Sequence, residues 1–378
     1  MNLDPLKNAR QVIEQASAQV DDWLPAAMCQ ALLEGYHARW SDQQRRIAVR
    51  EIETTHQTRL VNLDTMCSSR SFRIAGKIDK LAVQDGRLAI FDHKTTSQEI
   101  ADLGGSFWRQ LMVEAQPTHY ELLLLSSGIQ VEQVIWDVVR KPALRPRKLT
   151  PSQRDSLRDN GTYLGQAVSR ETAQRFWERE NRELYEVRLT QEVLQNPNRY
   201  FARRGVSRTR EELAEYAQEL WQIGQEILSA RRNNRWYRNS GACMVYGTPC
   251  KFLGVCSGHD SIESERWGRK PHPHAELPAE VQEEPLDLLT PTRARSFQTC
   301  RRKHYYEYEL GAERLEEKPT EALYFGGLWG RTLDAYWAAI SPPQPGCTVS
   351  ERSRHGHSSQ SSNRQPIRRQ PQTRCSPA

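Results

Sequence analysis

The sequence has the length of one large domain or of two smaller ones. Its 378 residues are 37% hydrophobic, which is enough to bury a sizeable core, and no run approaches the roughly 18–20 apolar residues of a membrane span. The formal net charge is +6, but residues 341–378 contain six Arg and one Glu and so hold +5 of it. The basic balance alone is therefore no argument for a nucleic-acid partner.

The cysteine content bears on the compartment and on possible cofactors. The N-terminal residues lack the apolar stretch of a signal peptide, so we expect a cytoplasmic protein with no membrane partner. In a reducing compartment, the eight cysteines favour metal or cluster chemistry over structural disulfides.

The N-terminal region is predicted to be helical and then to enter a sheet. Within residues 1–40, apolar residues recur at spacings of three and four, which is typical of an amphipathic helix: Leu24, Met28, Leu32, Leu33, Tyr36 and Trp40. From Arg46 to Thr55 the sequence RIAVREIETT alternates like a strand. We expect this strand to add an edge to the sheet that follows.

A β-hairpin is predicted next. Two runs rich in β-branched and apolar residues, Phe72–Val83 and Arg87–His93, flank the turn Gln84-Asp85-Gly86. An Asp-Gly pair between two such runs is a strong hairpin signal.

Three side chains on this hairpin could carry out chemistry. Asp92 and Lys94 are two residues apart on one strand, so they project from the same face, and strand pairing brings Asp79 near the same end. Two carboxylates and a lysine suit a divalent cation next to a phosphate, because Mg²⁺ takes carboxylate oxygens while it keeps waters, and a lysine can orient the attacking water or offset developing charge. For an Asp-x-Lys tripeptide alone, a solvated surface ion pair is the more common interpretation.

A helix predicted from Phe107 to Ser126 carries two further candidates. Gln116 and Tyr120 are four residues apart and share a helical face, from which they could reach a phosphate or a metal-bound water. The alternative is that Tyr120 belongs to the core and Gln116 is exposed. After this helix, residues 131–141 are predicted to form a buried strand.

Two basic segments could contact a phosphodiester backbone. The first is the proline-punctuated loop KPALRPRK, whose cations are Lys141, Arg145, Arg147 and Lys148. The second is ARRNNRWYRN, at the end of a predicted helix over Arg210–Arg231, in which Trp236 and Tyr237 could stack on bases. A solvated charge run and ordinary helix-end packing are the alternatives. Another charged helix is predicted over Thr172–Leu189.

Three closely spaced cysteines follow. Cys243, Cys250 and Cys256 stand in CMVYGTPCKFLGVC among Gly and Pro, which is typical of metal or cluster ligands in a reduced protein. The spacing does not match a zinc ribbon, which favours pairs two residues apart. Because four thiolates normally complete such a site, a fourth ligand must come from elsewhere. Buried free cysteines are the alternative.

The last third of the sequence is predicted to contain a linker, an ordered segment and a tail. Residues 257–285 are rich in Pro, Glu and His, as linkers are. The ordered segment, 286–340, has a helix start at Thr290-Pro291 and ends in a second helix over 323–340. Residues 341–378 show no periodicity, and we expect a disordered basic tail.

Together, these motifs resemble the PD-(D/E)XK nuclease superfamily. GKID at 76–79, FDHKTTS at 91–97 and the Gln116–Tyr120 pair are similar to its RecB-like branch, which includes the CRISPR-associated exonucleases and phage-type relatives. The resemblance spans roughly residues 20–260 and 286–340. It implies an α/β fold with a restriction-endonuclease-like core, in which a mixed β-sheet is flanked by helices, and with a helical, cysteine-containing C-terminal part. Residues 1–256 would form this nuclease-like domain.

The resemblance also implies an active site and a cluster. The expected catalytic residues are Asp79, Asp92, Lys94, Gln116 and Tyr120. Among them, Asp79 and Asp92 would hold Mg²⁺ or Mn²⁺ and Lys94 would assist the attacking water. The expected ligands of a 4Fe-4S cluster are Cys243, Cys250, Cys256 and, from the segment SFQTCRRKHYYEY, Cys300.

Two departures from the family pattern bear on activity. The segment that contains Cys300 precedes the hairpin in relatives, whereas here it follows the other three cysteines. Residues 286–340 are therefore either a displaced N-terminal segment that docks on the first domain or the start of a truncated second copy. In addition, relatives carry a histidine metal ligand at the position that Gly330 occupies in FGGLWGRTLD.

Two functions from different classes follow. The first is a metal-dependent DNA nuclease, expected to be an exonuclease in DNA repair, which hydrolyses phosphodiester bonds; the sequence does not identify a helicase or recombination partner. The second is a catalytically impaired, DNA-binding remnant of that family.

Overall fold

A six-stranded mixed sheet forms the centre of the structure. The computed structural model describes residues 4–18, 20–44, 46–175, 177–245, 247–315 and 320–340; the predicted tail at 341–378 lies outside the described residues. The strands are β1 (Ile47–Asn62), β2 (Cys67–Gln84), β3 (Arg87–Thr96), β4 (Gln133–Arg140), β5 (Thr162–Tyr163), β6 (Gln166–Ala167), β7 (Phe201–Val206), β8 (Met244–Val245), β9 (Thr248–Pro249), β10 (Trp267–Arg269), β11 (Asp287–Leu289) and β12 (Ala312–Arg314).

Helices precede, connect and follow these strands. They are α1 (Pro5–Ser17), α2 (Leu24–Gln44), α3 (Ser106–Met112), α4 (Ala115–Ser126), α5 (Pro151–Asn160), α6 (Arg170–Gln174), α7 (Arg182–Gln195), α8 (Pro197–Tyr200), α9 (Arg210–Asn233), α10 (Leu253–Ser257), α11 (Ala279–Gln282), α12 (Pro291–Thr299), α13 (Arg301–His304) and α14 (Glu321–Ile340). Among the described residues, none of these helices combines the length and the apolar character that crossing a bilayer requires.

The sheet has the strand order β1-β2-β3-β4-β7, and β11 also pairs with β2. Neighbouring strands are antiparallel except for β3–β4 and β11–β2, which are parallel. At the turn between β2 and β3, Gln84 pairs with Arg87, and Asp85 and Gly86 have φ values of 49° and 82°. Two central residues with positive φ characterise a two-residue hairpin turn. The predicted hairpin is therefore confirmed.

The long strand β2 changes partners along one of its edges. Residues 80–84 pair with β3, whereas residues 72–74 pair with β11. Between these pairings, residues 75–79 leave a gap, which we call the β2 gap. Tyr120 of α4 packs closely here because Gly76 has no side chain: a Cβ on Gly76 would lie 2.8 Å from the Tyr120 ring.

Helices cover both faces of the sheet. Side chains on alternate positions of β3 point to opposite faces: Phe91 packs in one core with α1, α2, α7 and α14, whereas Ile90 packs in the other with α4, α9 and α12. The first core contains the large aromatic residues Tyr36, Trp329 and Trp337. The fold is therefore α/β, with a mixed sheet between helical layers and a cysteine-containing C-terminal part, as predicted.

The structure differs from several sequence-based boundaries. Strand β1 continues to Asn62 and β2 begins at Cys67, so both are longer than the predicted runs. The helix predicted from Phe107 to Ser126 is two helices, α3 and α4, because Pro117 lacks the N–H that a continuous helix would need. The helix predicted over 172–189 is likewise divided, since the Asn181 side chain accepts a hydrogen bond from Leu184 N–H and so caps the start of α7. The predicted linker contains β10 and α11, and β11 pairs with β2 two residues after the linker ends.

Candidate active site

Three of the predicted site residues meet beside the β2 gap. Asp92 and Lys94 lie on β3, and Lys94 Nζ is 2.6 Å from Asp92 Oδ2. Asp79 lies on β2, one residue beyond the last β2–β3 pair, and its Oδ2 accepts a 2.8 Å hydrogen bond from the backbone N–H of His93. The hairpin therefore holds both carboxylates and the ammonium at one end.

The other two predicted residues extend this group along α4. Lys94 Nζ donates a 2.7 Å hydrogen bond to Gln116 Oε1, and Gln116 Nε2 donates a 2.7 Å hydrogen bond to the Tyr120 hydroxyl oxygen. Tyr120 is 5% exposed, whereas Gln116 is half-buried. A continuous chain of polar contacts thus runs from Asp92 through Lys94 and Gln116 to Tyr120.

The two neighbouring carboxylates, Asp79 and Asp92, shift the pKa values of the groups around them. Burial, and after it the charge of Asp92, raises the pKa of Asp79 to about 8. Burial acts to lower the pKa of Lys94, but the neighbouring Asp92 carboxylate outweighs it and holds the pKa above its usual value. Burial also raises the pKa of Tyr120, with the two carboxylates adding to the effect. Lys94 and Tyr120 are therefore both protonated near neutral pH.

The donor set fits a divalent cation. Asp92 is 1% exposed and its Oδ2 contacts the Lys94 ammonium at 2.6 Å, whereas its Oδ1 accepts no hydrogen bond from the described residues. When Asp79 is ionised as well, two buried carboxylates face one ammonium, and further positive charge would stabilise them. Mg²⁺ commonly binds one or two protein carboxylates and keeps several waters, so Asp79 and Asp92 could hold it. Within the described part of the chain, no group of three or more His, Cys, Asp or Glu residues is arranged to hold a metal ion.

A cavity of about 660 Å³ opens over these residues. Asp79, Gln116 and Tyr120 line it, together with residues of α12. Glu53, which sequence patterns do not single out, also lines the cavity; it forms an ion pair with Lys77 and has a positive φ of 54°. Its charge contributes to the raised pKa of Asp79. Only the alternating pattern of RIAVREIETT is visible at this position, and that pattern does not single out Glu53.

A buried polar network lies behind the site. The Asp137 carboxylate on β4 accepts hydrogen bonds from Tyr36 (2.5 Å) and Arg203 (3.0 Å), and it lies 3.5 Å from His93 Nδ1. Burial acts to raise the pKa of Asp137, but Arg203 and His93 hold it far below its usual value. Because His93 stands between Asp92 and Lys94 in sequence, this network fixes the segment of β3 that carries both.

The cations of the loop after β4 are ion-paired. Lys141 and Arg145 contact Glu321 at the start of α14, at 2.9 Å and 3.0 Å. The other two loop cations contact glutamates at 3.8 Å and 3.3 Å: Arg147 with Glu180 and Lys148 with Glu178. The loop therefore connects to α14 and to the segment before α7. The two interpretations of this loop from sequence are a phosphate-binding surface and a solvated charge run; in the structure its cations pair with protein carboxylates instead.

The second basic segment divides into a buried part and an exposed part. Trp236 is 7% exposed and its ring stacks on His304 at 5.7 Å, and Arg231 pairs with Glu309 and Asp287. Tyr237, in contrast, is 58% exposed. Helix-end packing accounts for most of this segment, but not for Tyr237.

The four predicted cluster cysteines lie in one region. Cys243, Cys250, Cys256 and Cys300 are half-buried free thiols. The backbone of Asn239 connects two of them, because its N–H contacts Cys300 Sγ at 3.4 Å and its carbonyl oxygen lies 3.7 Å from Cys243 Sγ. Burial raises the pKa of Cys256, with the nearby Cys250, Cys300 and Cys243 adding to the effect. Cys300 therefore lies in the region of the other three cysteines, although no three of the described cysteines are arranged to hold a metal ion.

Comparison with known proteins gives one family. A model of the PD-(D/E)XK nuclease superfamily matches residues 3–257, which is more than half of the chain and includes all five predicted catalytic residues. No curated protein matches the chain.

Proposed function

The chain belongs to the PD-(D/E)XK nuclease superfamily, and from this premise we propose that it is a metal-dependent deoxyribonuclease that degrades DNA from its ends. The observation that carries the proposal is the contact chain from Asp92 through Lys94 and Gln116 to Tyr120, with Asp79 hydrogen-bonded beside it. These residue types at this spacing are what phosphodiester hydrolysis needs: carboxylates for a cation and positioned donors for a phosphate.

Each residue has a separate role in this proposal. Asp79 and Asp92 hold Mg²⁺ or Mn²⁺, which when bound polarises the phosphate and lowers the pKa of a coordinated water. Lys94 has three N–H donors; Asp92 and Gln116 engage two, which leaves one for the attacking water or a phosphate oxygen. Because its pKa is raised, Lys94 acts as a charged donor and not as a base. Tyr120 keeps its proton, so its hydroxyl can donate while it accepts from Gln116.

The cysteine region supports a finer proposal. We propose that Cys243, Cys250, Cys256 and Cys300 hold a 4Fe-4S cluster, since four half-buried thiols without disulfides are the ligand set that such clusters use. Anaerobic purification followed by iron and sulfide analysis and by absorbance in the iron–sulfur band tests this. Stoichiometric zinc in a colourless protein would replace the cluster with a zinc site.

A second function is supported by Gly330. Gly326, Gly330 and Asp334 are spaced by four residues and share one stripe of α14. A Cβ on Gly326 would lie 3.1 Å from Thr95 Oγ1, and Asp334 interacts electrostatically with Glu53 at the cavity. A Cβ on Gly330 would meet nothing within 4 Å, so the position at which relatives carry a histidine metal ligand has room for a side chain and holds none. The alternative is therefore a DNA-binding protein with impaired catalysis.

Cleavage assays separate the two functions. We expect the wild-type protein with Mg²⁺ or Mn²⁺ to degrade end-labelled linear DNA and to spare covalently closed circles. Lys94→Ala should abolish this, whereas Lys148→Ala, which removes a lysine whose side chain is 74% exposed and remote from the β2 gap, should not. DNA binding without cleavage by the wild type would support the impaired remnant, and cleavage unchanged by Lys94→Ala would exclude the proposed active site.

A further inference from the structure

A second cavity, of about 870 Å³, lies beside the first. It is bounded by α9, by residues 237–239 and by residues 297–301. Glu219, Ile223 and Gln298 line both cavities. The two cavities are therefore neighbours along α9, and one extended ligand could occupy both.

An exposed aromatic ring stands in this second cavity. Tyr237 is 58% exposed, and the Arg301 guanidinium lies 4.6 Å from the centroid of its ring. The backbone on which the ring stands is fixed, because Tyr237 carbonyl oxygen accepts a 3.1 Å hydrogen bond from Arg302 N–H. A rigidly anchored, solvent-facing ring with a guanidinium against it is the kind of surface on which nucleobases stack.

The remaining lining suits the edges of bases better than phosphates. Five side-chain amides line the cavity and can both donate and accept hydrogen bonds: Asn62, Gln218, Gln222, Asn239 and Gln298. Four carboxylates line it as well, against two guanidinium groups: Asp64, Glu215, Glu219 and Glu226 against Arg238 and Arg301. One of these guanidinium groups, that of Arg301, is already ion-paired with Glu226. This excess of negative charge disfavours a phosphate inside the cavity, so a nucleotide would enter with its base inward and its phosphate toward solvent.

We propose that the second cavity binds a nucleobase of a single-stranded DNA end whose scissile phosphate lies at Asp79, Asp92 and Lys94. The proposal rests on the proposed nuclease function and adds its substrate class. Both cavities extend along the same part of α9, which lines the second one from Glu215 to Glu226 and is ~17 Å long at the helical rise. At ~3.4 Å per stacked nucleotide, an octanucleotide (~27 Å) covers that length and a dinucleotide (~7 Å) does not. Paired bases could not turn into the cavity, which is why the site selects single strands.

Binding measurements on protein that cannot cleave test the proposal. In a Lys94→Ala background, we compare the affinities for labelled oligothymidylates of two and eight nucleotides. Tyr237→Ala should weaken binding of the octamer about tenfold, within the range expected for the loss of one stacked base, and should leave binding of the dimer unchanged. Tyr237→Phe should restore the octamer affinity. Val245→Ala, an exposed apolar truncation in the cysteine segment outside both cavities, is the control and should bind like the parent.

The outcomes distinguish this inference from the nuclease function. Equal octamer affinity in the parent and Tyr237→Ala overturns the second cavity as a base site, as does an equal loss for dimer and octamer. Neither result bears on the nuclease function, which is tested separately by the dependence of DNA cleavage on Lys94. Should Tyr237→Ala lose its cooperative unfolding, Gln222→Ala, which changes the lining of the second cavity and not of the first, provides the same comparison. A fully base-paired octamer should bind Tyr237→Ala and its parent alike.

Discussion

Asp79 makes the stability of the metal-free protein depend on pH. Its pKa rises from an ordinary value of 3.8 to about 8 in the folded protein because of burial and the charge of Asp92. Between these two values, the folded protein holds a proton that the unfolded chain has released, so stability falls as pH rises from about 4 to about 8. Each pKa unit corresponds to ~1.4 kcal/mol, which sets an upper limit of ~6 kcal/mol for the full range.

The realised effect should be smaller than this limit. Asp79 is half-buried and borders a cavity that water can enter, so the effective dielectric constant is high and we expect on the order of 2–3 kcal/mol. For a chain of this size, this corresponds to a change of roughly 5 °C in Tm. A divalent cation between Asp79 and Asp92 replaces the proton, so Mg²⁺ should raise Tm strongly at pH 8 and little at pH 5.

Thermal unfolding at pH 5 and pH 8, in EDTA and in Mg²⁺, measures both effects. Asp79→Asn removes the titrating group while it keeps the side-chain shape. We expect the variant to show a smaller loss of Tm between pH 5 and pH 8 in EDTA, and no Mg²⁺-dependent rise at pH 8. Because Glu121 and Asp334 also have raised pKa values of about 7, the informative quantity is the difference between the wild type and the variant. Asp155→Asn, at an exposed position remote from the cavity, is the control. The reasoning is refuted if Asp79→Asn and the wild type have the same pH slope in EDTA.

Three further predictions concern the surroundings of the site. Gly76→Ala would place a Cβ 2.8 Å from the Tyr120 ring. We expect Tyr120 to shift, DNA cleavage to fall at least tenfold and the free energy of unfolding in denaturant to fall by ~1–3 kcal/mol. Unchanged activity would contradict the close approach. Arg203→Met leaves the buried Asp137 carboxylate without its main counter-charge, so the free energy of unfolding in denaturant should fall by ~3–5 kcal/mol. A loss under ~1 kcal/mol would show that the buried polar network around Asp137 does not stabilise the fold. Burial lowers the pKa of His119 from 6.5 to about 4, so this histidine destabilises the folded protein as pH falls from 6.5 to 4. His119→Gln should therefore lose less unfolding free energy between pH 7 and pH 4 than the wild type, as measured by urea titrations at both pH values.

The parts of this fold that could be predicted from sequence are those set by local signals. The Asp85-Gly86 turn follows from residues that tolerate positive φ, and the start of α12 follows from Thr290, whose side chain accepts from Arg293 N–H, and from Pro291 at the first helical position. The positions of the predicted site residues followed from the period of a strand and of a helix. These signals involve only neighbours in the chain.

The parts that could not be predicted depend on contacts between distant residues. Strand β11 is three residues long, and its pairing with β2 cannot be read from so short a pattern. Glu53 lines the cavity and has a positive φ itself, but the sequence around it shows only the alternation of apolar and polar residues that any strand shows. The ion pairs of Lys141 and Arg145 with Glu321 join residues about 180 positions apart, and nothing local distinguishes them from a solvated charge run.

The placement of residues 286–340 connects these long-range contacts to the site. The family match ends at residue 257, yet β11 forms one boundary of the β2 gap and α12 lines the cavity together with Tyr120. On the other face of the sheet, Trp337 of α14 lies with its ring centroid 3.4 Å from Nζ of Lys80, the residue next to Asp79. Burying a lysine without a partner is unfavourable, and no oxygen of the described residues accepts a hydrogen bond from the fully buried Lys80 side-chain nitrogen, so the Trp337 ring is a favourable contact for it. We therefore propose that residues 286–340 complete the first domain. Without them, the β2 gap would lack the strand that bounds it, the Lys80 side chain would lose its contact with Trp337, and Cys300 would be missing from the cysteine region.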